Sequence, residues 1–204
     1  AAFEKTTQFK SWTINDVFRH LHFWNKAVMV ATEGDEAFAT FFEGVGAHMM
    51  KGGSLPEYER AYLDGLSGGA LREAWASLVD ETADAYAALD PSSRVPWAGP
   101  SMSARSAISA RQMETWAHGQ EVFDVLGADR EEHDRIRNIV VLGINTFGWT
   151  FKVRGETPPE PMPFVSLVSP SGEVWTYGES QQSNFIQGDA VEFAQVVTQT
   201  RNIG

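Results

Sequence analysis

The stretch Arg111-Gln112-Met113-Glu114-Thr115-Trp116-Ala117-His118-Gly119 decides the fold, because it sits inside a long helix-forming segment and places Glu114 and His118 four residues apart on one helical face. Arg111 lies on the same stripe, while Trp116 and Val122 are angled elsewhere. A polar stripe on a helix must face something, and two ligand-type side chains at this spacing are half of a metal site. The segment from Trp12 to Leu21 offers the other half in His20.

Thr13 can cap a helix there and Asp16, three residues on, can answer in a capping box, which predicts a helix running to about Ala31. At about 100° per residue with Val17 at zero, Leu21, Trp24, Val28 and Ala31 gather on one side and His20, at about 300°, flanks them. His22, at about 140°, points away with Phe18 and Asn25. His20 is therefore the inward candidate of the two.

Further helices follow. One starts after Gly34-Asp35 and ends at Lys51-Gly52-Gly53, with Phe38, Phe41, Phe42 and Met49 as its core face. Ser54 opens a short helical piece broken between Gly65 and Gly69, and a third long helix spans roughly 70–89 with Leu71, Trp75, Leu78, Val79 and Ala85 inside. The proline-rich connection 90–100 precedes a fourth, capped by Ser101 or Ser103 and closed by Gly127. A fifth is expected over 129–147, with Gly143 marking close packing.

Helical periodicity stops at the proline run after Arg154. Residues 164–168 and 173–177 read as two strands joined by Ser169-Pro170-Ser171-Gly172, and 189–200 as a final helix. The expected fold is α+β, mainly α: an antiparallel four-helix bundle over 1–150, then a small α/β module over 151–204.

Composition narrows the function. With 204 residues, 43% of them hydrophobic, the chain can bury a sizeable core. A net charge of −11 disfavours nucleic acid as a partner. No apolar run approaches the roughly 20 residues of a membrane span and no leader opens the chain, so a cytoplasmic protein is expected, without a membrane partner. The abrupt ends at Ala1 and Gly204 suggest part of a longer product, and a homo-oligomer is compatible with the sequence.

The chain has no cysteine, which removes thiolate zinc sites, iron–sulfur clusters and cysteine nucleophiles, so any metal must sit on histidine and carboxylate. Taken singly, a histidine on an apolar face is more often a hydrogen-bonded core residue, and a Glu-x-x-x-His pair is often only a hydrogen-bonded pair. Taken together, His20, Glu114 and His118 suit Zn²⁺, or Ni²⁺ or a similar divalent ion, and three protein ligands leave open positions for a small-molecule substrate. His48 and His133 read as ordinary polar residues near helix ends.

Three ordered segments carry a resemblance: Trp12-Thr13-Ile14-Asn15-Asp16-Val17 through His20-Leu21, then Val95-Pro96-Trp97-Ala98-Gly99-Pro100-Ser101-Met102-Ser103, then Met113-Glu114-Thr115-Trp116-Ala117-His118-Gly119. Together they resemble the mycothiol-dependent maleylpyruvate isomerase group of the DinB-like metalloprotein superfamily. The tail from Val153 through Glu173-Val174-Trp175-Thr176 to Gln199 resembles the small domain labelled wyosine base formation. The resemblance implies a DinB-like bundle holding a divalent metal, commonly zinc, through His20, Glu114 and His118. It also implies a low-molecular-weight thiol as co-substrate and a carboxylate near Glu121, where the related motif carries Asp. A C-terminal arginine near the thiol substrate belongs to the same pattern, and Arg154 is the candidate here. The expected activity is a metal-dependent, thiol-using transferase or isomerase acting on a small electrophilic acid, with Arg111 or Arg154 neutralising its carboxylate and Glu121 orienting a ligand. A metal-dependent hydrolase and a non-catalytic small-molecule-binding protein are the alternatives. The tRNA chemistry suggested by the wyosine label is not expected, because it would need clustered cysteines.

Overall fold

The computed structural model describes residues 2–202. The chain divides into two compact units, Ala1–Ala128 and Asp129–Gly204.

The first unit is built on four long helices, α1 (Ile14–Ala31), α2 (Asp35–Met50), α4 (Gly68–Ala87) and α5 (Ala104–Leu126), with a short α3 (Leu55–Tyr62) between the second and third. Helix α1 is central and packs on each of the others. Its start follows from the expected capping box: the Thr13 hydroxyl accepts from the Asp16 N–H at 3.1 Å, and the Asp16 carboxylate accepts from the Thr13 N–H at 3.0 Å. Val17, Leu21, Phe23, Ala27, Val28 and Ala31 of α1 are buried. At one end of the bundle Ala27, Val28 and Ala31 meet Phe38, Tyr86, Ala104 and Ala107. The Tyr86 hydroxyl donates to the Val28 carbonyl at 3.0 Å, so this buried polar group is satisfied. Phe41 and Phe42 pack against this cluster as expected of α2, whereas Met49 is exposed.

The proline-rich connection folds into a two-residue antiparallel pair, β1 (Arg94–Val95) with β2 (Met102–Ser103), which delivers the chain to α5. The Ser103 hydroxyl caps α5 by accepting from the Ser106 N–H at 3.1 Å, and Gly127 ends it in the left-handed conformation, φ 64°.

The second unit contains α6 (Arg137–Asn145), α7 (Phe147–Lys152), β3 (Phe164–Val168), β4 (Val174–Tyr177), β5 (Phe185–Asp189) and α8 (Ala190–Val197). The strand order is β4-β3-β5. The expected hairpin is present as the antiparallel β3/β4 pair with Val168 opposite Val174, and β5 joins β3 in parallel with Phe164 opposite Phe185. Val165, Leu167 and Trp175 of the sheet, Ile139 and Val140 of α6, and Ala190 and Ala194 of α8 are buried. Gly143 lets α6 approach α8: a Cβ there would lie 3.0 Å from a Val197 methyl.

Two expectations are corrected. The helix expected over 129–147 begins only at Arg137 and breaks at Thr146. The charged run 129–133 offers no apolar position to bury, and Arg130 closes locally on Glu132 at 2.6 Å. The division expected near residue 150 falls at 128/129 instead, because α6 packs on α8 and so belongs with the sheet. No helix of the described residues is long and apolar enough to cross a membrane.

Candidate metal centre

The helix wheel of α1 and the i, i+4 spacing on α5 do bring the three anticipated residues together. His20 and His118 both turn Nε2 toward the same Glu114 oxygen, at 3.9 and 3.3 Å, and their ring centroids are 5.0 Å apart. One ligand-type atom from each of the three lies within 4.8 Å of the others. A zinc ion with bonds of about 2.0–2.1 Å to nitrogen and oxygen would space tetrahedral donors by about 3.3 Å. The His118–Glu114 pair already has that separation, and the His20 pair needs to close by a fraction of an ångström. Two imidazoles and one carboxylate are also the donor set that a borderline divalent cation takes, with further coordination positions left over. The residues fit the group.

The surroundings are aromatic and mostly dry. His20 and His118 are 13% and 11% exposed, against 33% for Glu114, so the carboxylate forms the wetter side. Trp12 stacks on the His118 ring at 5.7 Å and 13°, Phe9 meets the same ring edge-on at 5.0 Å, and Trp24 lies 6.1 Å from His20. Phe9 and Trp12 are presented by a tight turn closed by a 2.9 Å bond from the Trp12 N–H to the Phe9 carbonyl. Its two central residues, Lys10 and Ser11, have φ of 48° and 57°. Neither is glycine, and each costs roughly 1–2 kcal/mol in that region. The backbone bond from the Thr7 N–H to the Trp12 carbonyl at 2.7 Å and the Phe9 and Trp12 ring contacts surround the turn.

Burial would push the Glu114 carboxyl up, but the neighbouring His118 and His20 imidazoles and the Arg111 charge outweigh it and hold it far below the usual carboxylate range. His20 moves the other way: burial would lower it, and the Glu114 and Glu59 carboxylates beside it raise it above its ordinary 6.5.

Arg111 and Glu121 are not among the clustered donors. Arg111 is 4% exposed and turned into α1, where Nε donates to the Asn25 side chain at 3.0 Å and Nη2 to the Leu21 carbonyl at 3.4 Å. Burial brings its pKa down to about 10, so it is charged at neutral pH, and Glu114 and Glu59 support that charge. Asn25, expected on the outer side of α1, is buried as its partner. Glu121 is half-buried on α5 and is not among the clustered donors, and Arg154 is exposed just after α7 in the second unit.

One residue escaped the sequence reading. Glu59 of α3 is 2% exposed, and its carboxylate accepts from His20 Nδ1 at 2.8 Å. The signal was present: Leu55, Tyr58 and Tyr62 mark the inner face of a short amphipathic helix, and Glu59 falls on that face.

Residues 1–123 match the family described as the mycothiol maleylpyruvate isomerase N-terminal domain. Over 195 residues the chain is 32% identical to uncharacterized proteins from two strains of Mycobacterium tuberculosis, covering 96% of this chain and 75% of each of theirs. In fold it is similar to the crystal structure of a mutant of the mycothiol-dependent maleylpyruvate isomerase, with a TM-score of 0.57 and 16% identity, over 96% of this chain and 78% of that one. Matched over more than half its length, the chain belongs to the mycothiol maleylpyruvate isomerase N-terminal domain family, in the DinB-like maleylpyruvate-isomerase-like group.

Proposed function

We propose that the protein is a divalent-metal-dependent enzyme that uses a low-molecular-weight thiol to transfer or isomerise a small electrophilic acid, with His20, Glu114 and His118 as the metal ligands. The observation that carries this reading is the convergence of the two Nε2 atoms on one Glu114 oxygen in a chain of this family. Zinc suits the donor set best, and Ni²⁺ or another borderline ion can take it. When bound there, a divalent ion supplies Lewis acidity, which lowers the pKa of a ligating thiol and makes the sulfur nucleophilic at neutral pH.

The residues divide the remaining tasks. Because the chain has no cysteine, the thiol must come from outside it, and mycothiol is the candidate that the family suggests. Trp12 and Phe9 wall the histidines with apolar surface and exclude water from their side of the site. Arg111, held by Asn25 and Leu21, keeps a fixed positive charge behind Glu114. Glu121, one turn beyond His118, is proposed to orient a ligand, and Arg154 to meet a substrate carboxylate. A cytoplasmic setting is part of the proposal, because reduced thiols are maintained there.

The test is metal content of untagged protein grown with zinc and nickel, followed by turnover of a maleylpyruvate-like acid with and without mycothiol. Metal near one equivalent and thiol-dependent turnover, both abolished in His118→Ala, are expected. Metal-dependent hydrolysis without thiol would overturn the thiol reading, and the absence of metal under replete growth would overturn the whole.

A further inference from the structure

We infer that Glu59 is a positioning residue for the metal centre: from α3 it fixes which nitrogen of His20 faces the ion and how firmly the ring is held. The inference rests on the metal reading above and adds a residue to it.

A carboxylate 2% exposed in a helical bundle is costly unless it is bonded, and an apolar side chain of similar size would serve packing alone at least as well. What Glu59 does with its position is accept from His20 Nδ1 at 2.8 Å. A carboxylate oxygen accepts, so Nδ1 carries the hydrogen and the ligating lone pair is left on Nε2. That is the nitrogen turned toward Glu114 at 3.9 Å. A hydrogen-bonded carboxylate behind a ligating imidazole sets the ring's tautomer and orientation and raises its basicity.

Helix α3 is itself anchored in a way that keeps Glu59 in place. Glu57 closes its N-terminus by accepting from the Ser54 N–H at 2.7 Å, and Arg60 reaches Asp16 at the start of α1 at 3.1 Å. Tyr58 and Tyr62 meet Phe23 of α1 edge-on, at 6.0 and 5.3 Å. Two contacts on one face and a charge pair at the end thus hold the carboxylate against His20. The buried Arg111 charge supports Glu59 as well as Glu114.

The experiment is a zinc titration against a chromophoric chelator for the wild type, Glu59→Gln, Glu59→Ala and His118→Ala, with denaturant unfolding of each metal-free protein alongside. Glu59→Ala is expected to lose about 10–100-fold in zinc affinity, and Glu59→Gln, whose amide oxygen still accepts from Nδ1, to lose less. A Glu59 that serves only packing would change the unfolding of the metal-free variants and leave both zinc affinities within about twofold of wild type, which overturns the inference while the metal reading stands. Wild type binding zinc no more tightly than His118→Ala would remove the metal reading, and this inference with it.

Discussion

Two residues apart on α1, His20 and His22 look into opposite sides of the bundle and meet opposite environments. On one side the His20 nitrogens face Glu59 at 2.8 Å and Glu114 at 3.9 Å, and its proton affinity is raised. On the other, His22 Nδ1 is buried without a partner among the described residues, and burial together with Lys26 lowers its proton affinity against the pull of Glu81. The same residue type on the same helix becomes a candidate ligand or a neutral filler according to what the neighbouring helices present. The carboxylates on α3 and α5, rather than the histidines, define the site.

The sharpest way to break this contrast is through metal affinity. His20→Ala and His118→Ala should each weaken zinc binding by about a thousandfold, since structural zinc affinities near 10–16 kcal/mol spread over the three protein ligands give about 4 kcal/mol each. His22→Ala should leave zinc binding unchanged in the same chelator competition, and an equal loss there would erase the distinction between the two sides. Next in size is Arg111→Ala. It strips Asn25 and the Leu21 carbonyl of their donor and leaves Glu114 without its buried counter-charge, so urea unfolding should show a loss of about 3 kcal/mol. Glu121→Ala, on the same helix but outside the cluster, should show less than about 1 kcal/mol.

The pH dependence of the metal-free protein sharpens the contrast further, because the two histidines act with opposite signs. His20 has a folded pKa above 6.5, so its contribution is complete below that value and is lost as pH rises through the folded pKa. His22 has a folded pKa below 6.5, so the unfolded chain binds the extra proton and stability rises with pH across that window. Melting temperatures measured with chelator between about pH 5 and 8 should therefore fall with rising pH in His22→Ala and rise with pH in His20→Ala, the wild type lying flatter than either. Parallel profiles would refute the assignment. Glu114 adds an acid limb: its depressed pKa contributes stability above the ordinary carboxylate range that is lost as pH falls below about 4.5. The smallest effect belongs to the turn beside His118. Ser11→Gly should raise stability by about 0.5–1 kcal/mol, because glycine takes the left-handed conformation without the side-chain cost.

Much of the bundle was legible because its signals are local. Thr13 with Asp16, Ser103 and Gly127 each mark a helix end by a bond the backbone itself requires, and the wheel of α1 needs only periodicity to turn His20 inward. What was not legible depends on distant partners or on an absence of burial. Strand β5 exposes every side chain and contains Gly188, so it shows no alternation, and it is held by backbone bonds to β3. Met49 carries the apolar period of α2 past the point where the core ends. Arg111 shares a stripe with Glu114 and His118, but its long side chain reaches Asn25 on α1, and spacing alone does not report reach. Glu59 reads as a surface carboxylate until α3 is placed against α1.

The turn from Phe9 to Trp12 couples the segment before α1 to α5 as a thermodynamic linkage. Its left-handed residues sit between Phe9 and Trp12, whose rings rest on the His118 ring, so backbone geometry at Lys10 and Ser11 and ring geometry on α5 are coupled. By reciprocity, whatever fixes His118 in its present orientation also holds the turn closed, and a change of sequence at Lys10 or Ser11 shifts the balance at the site without touching a ligand.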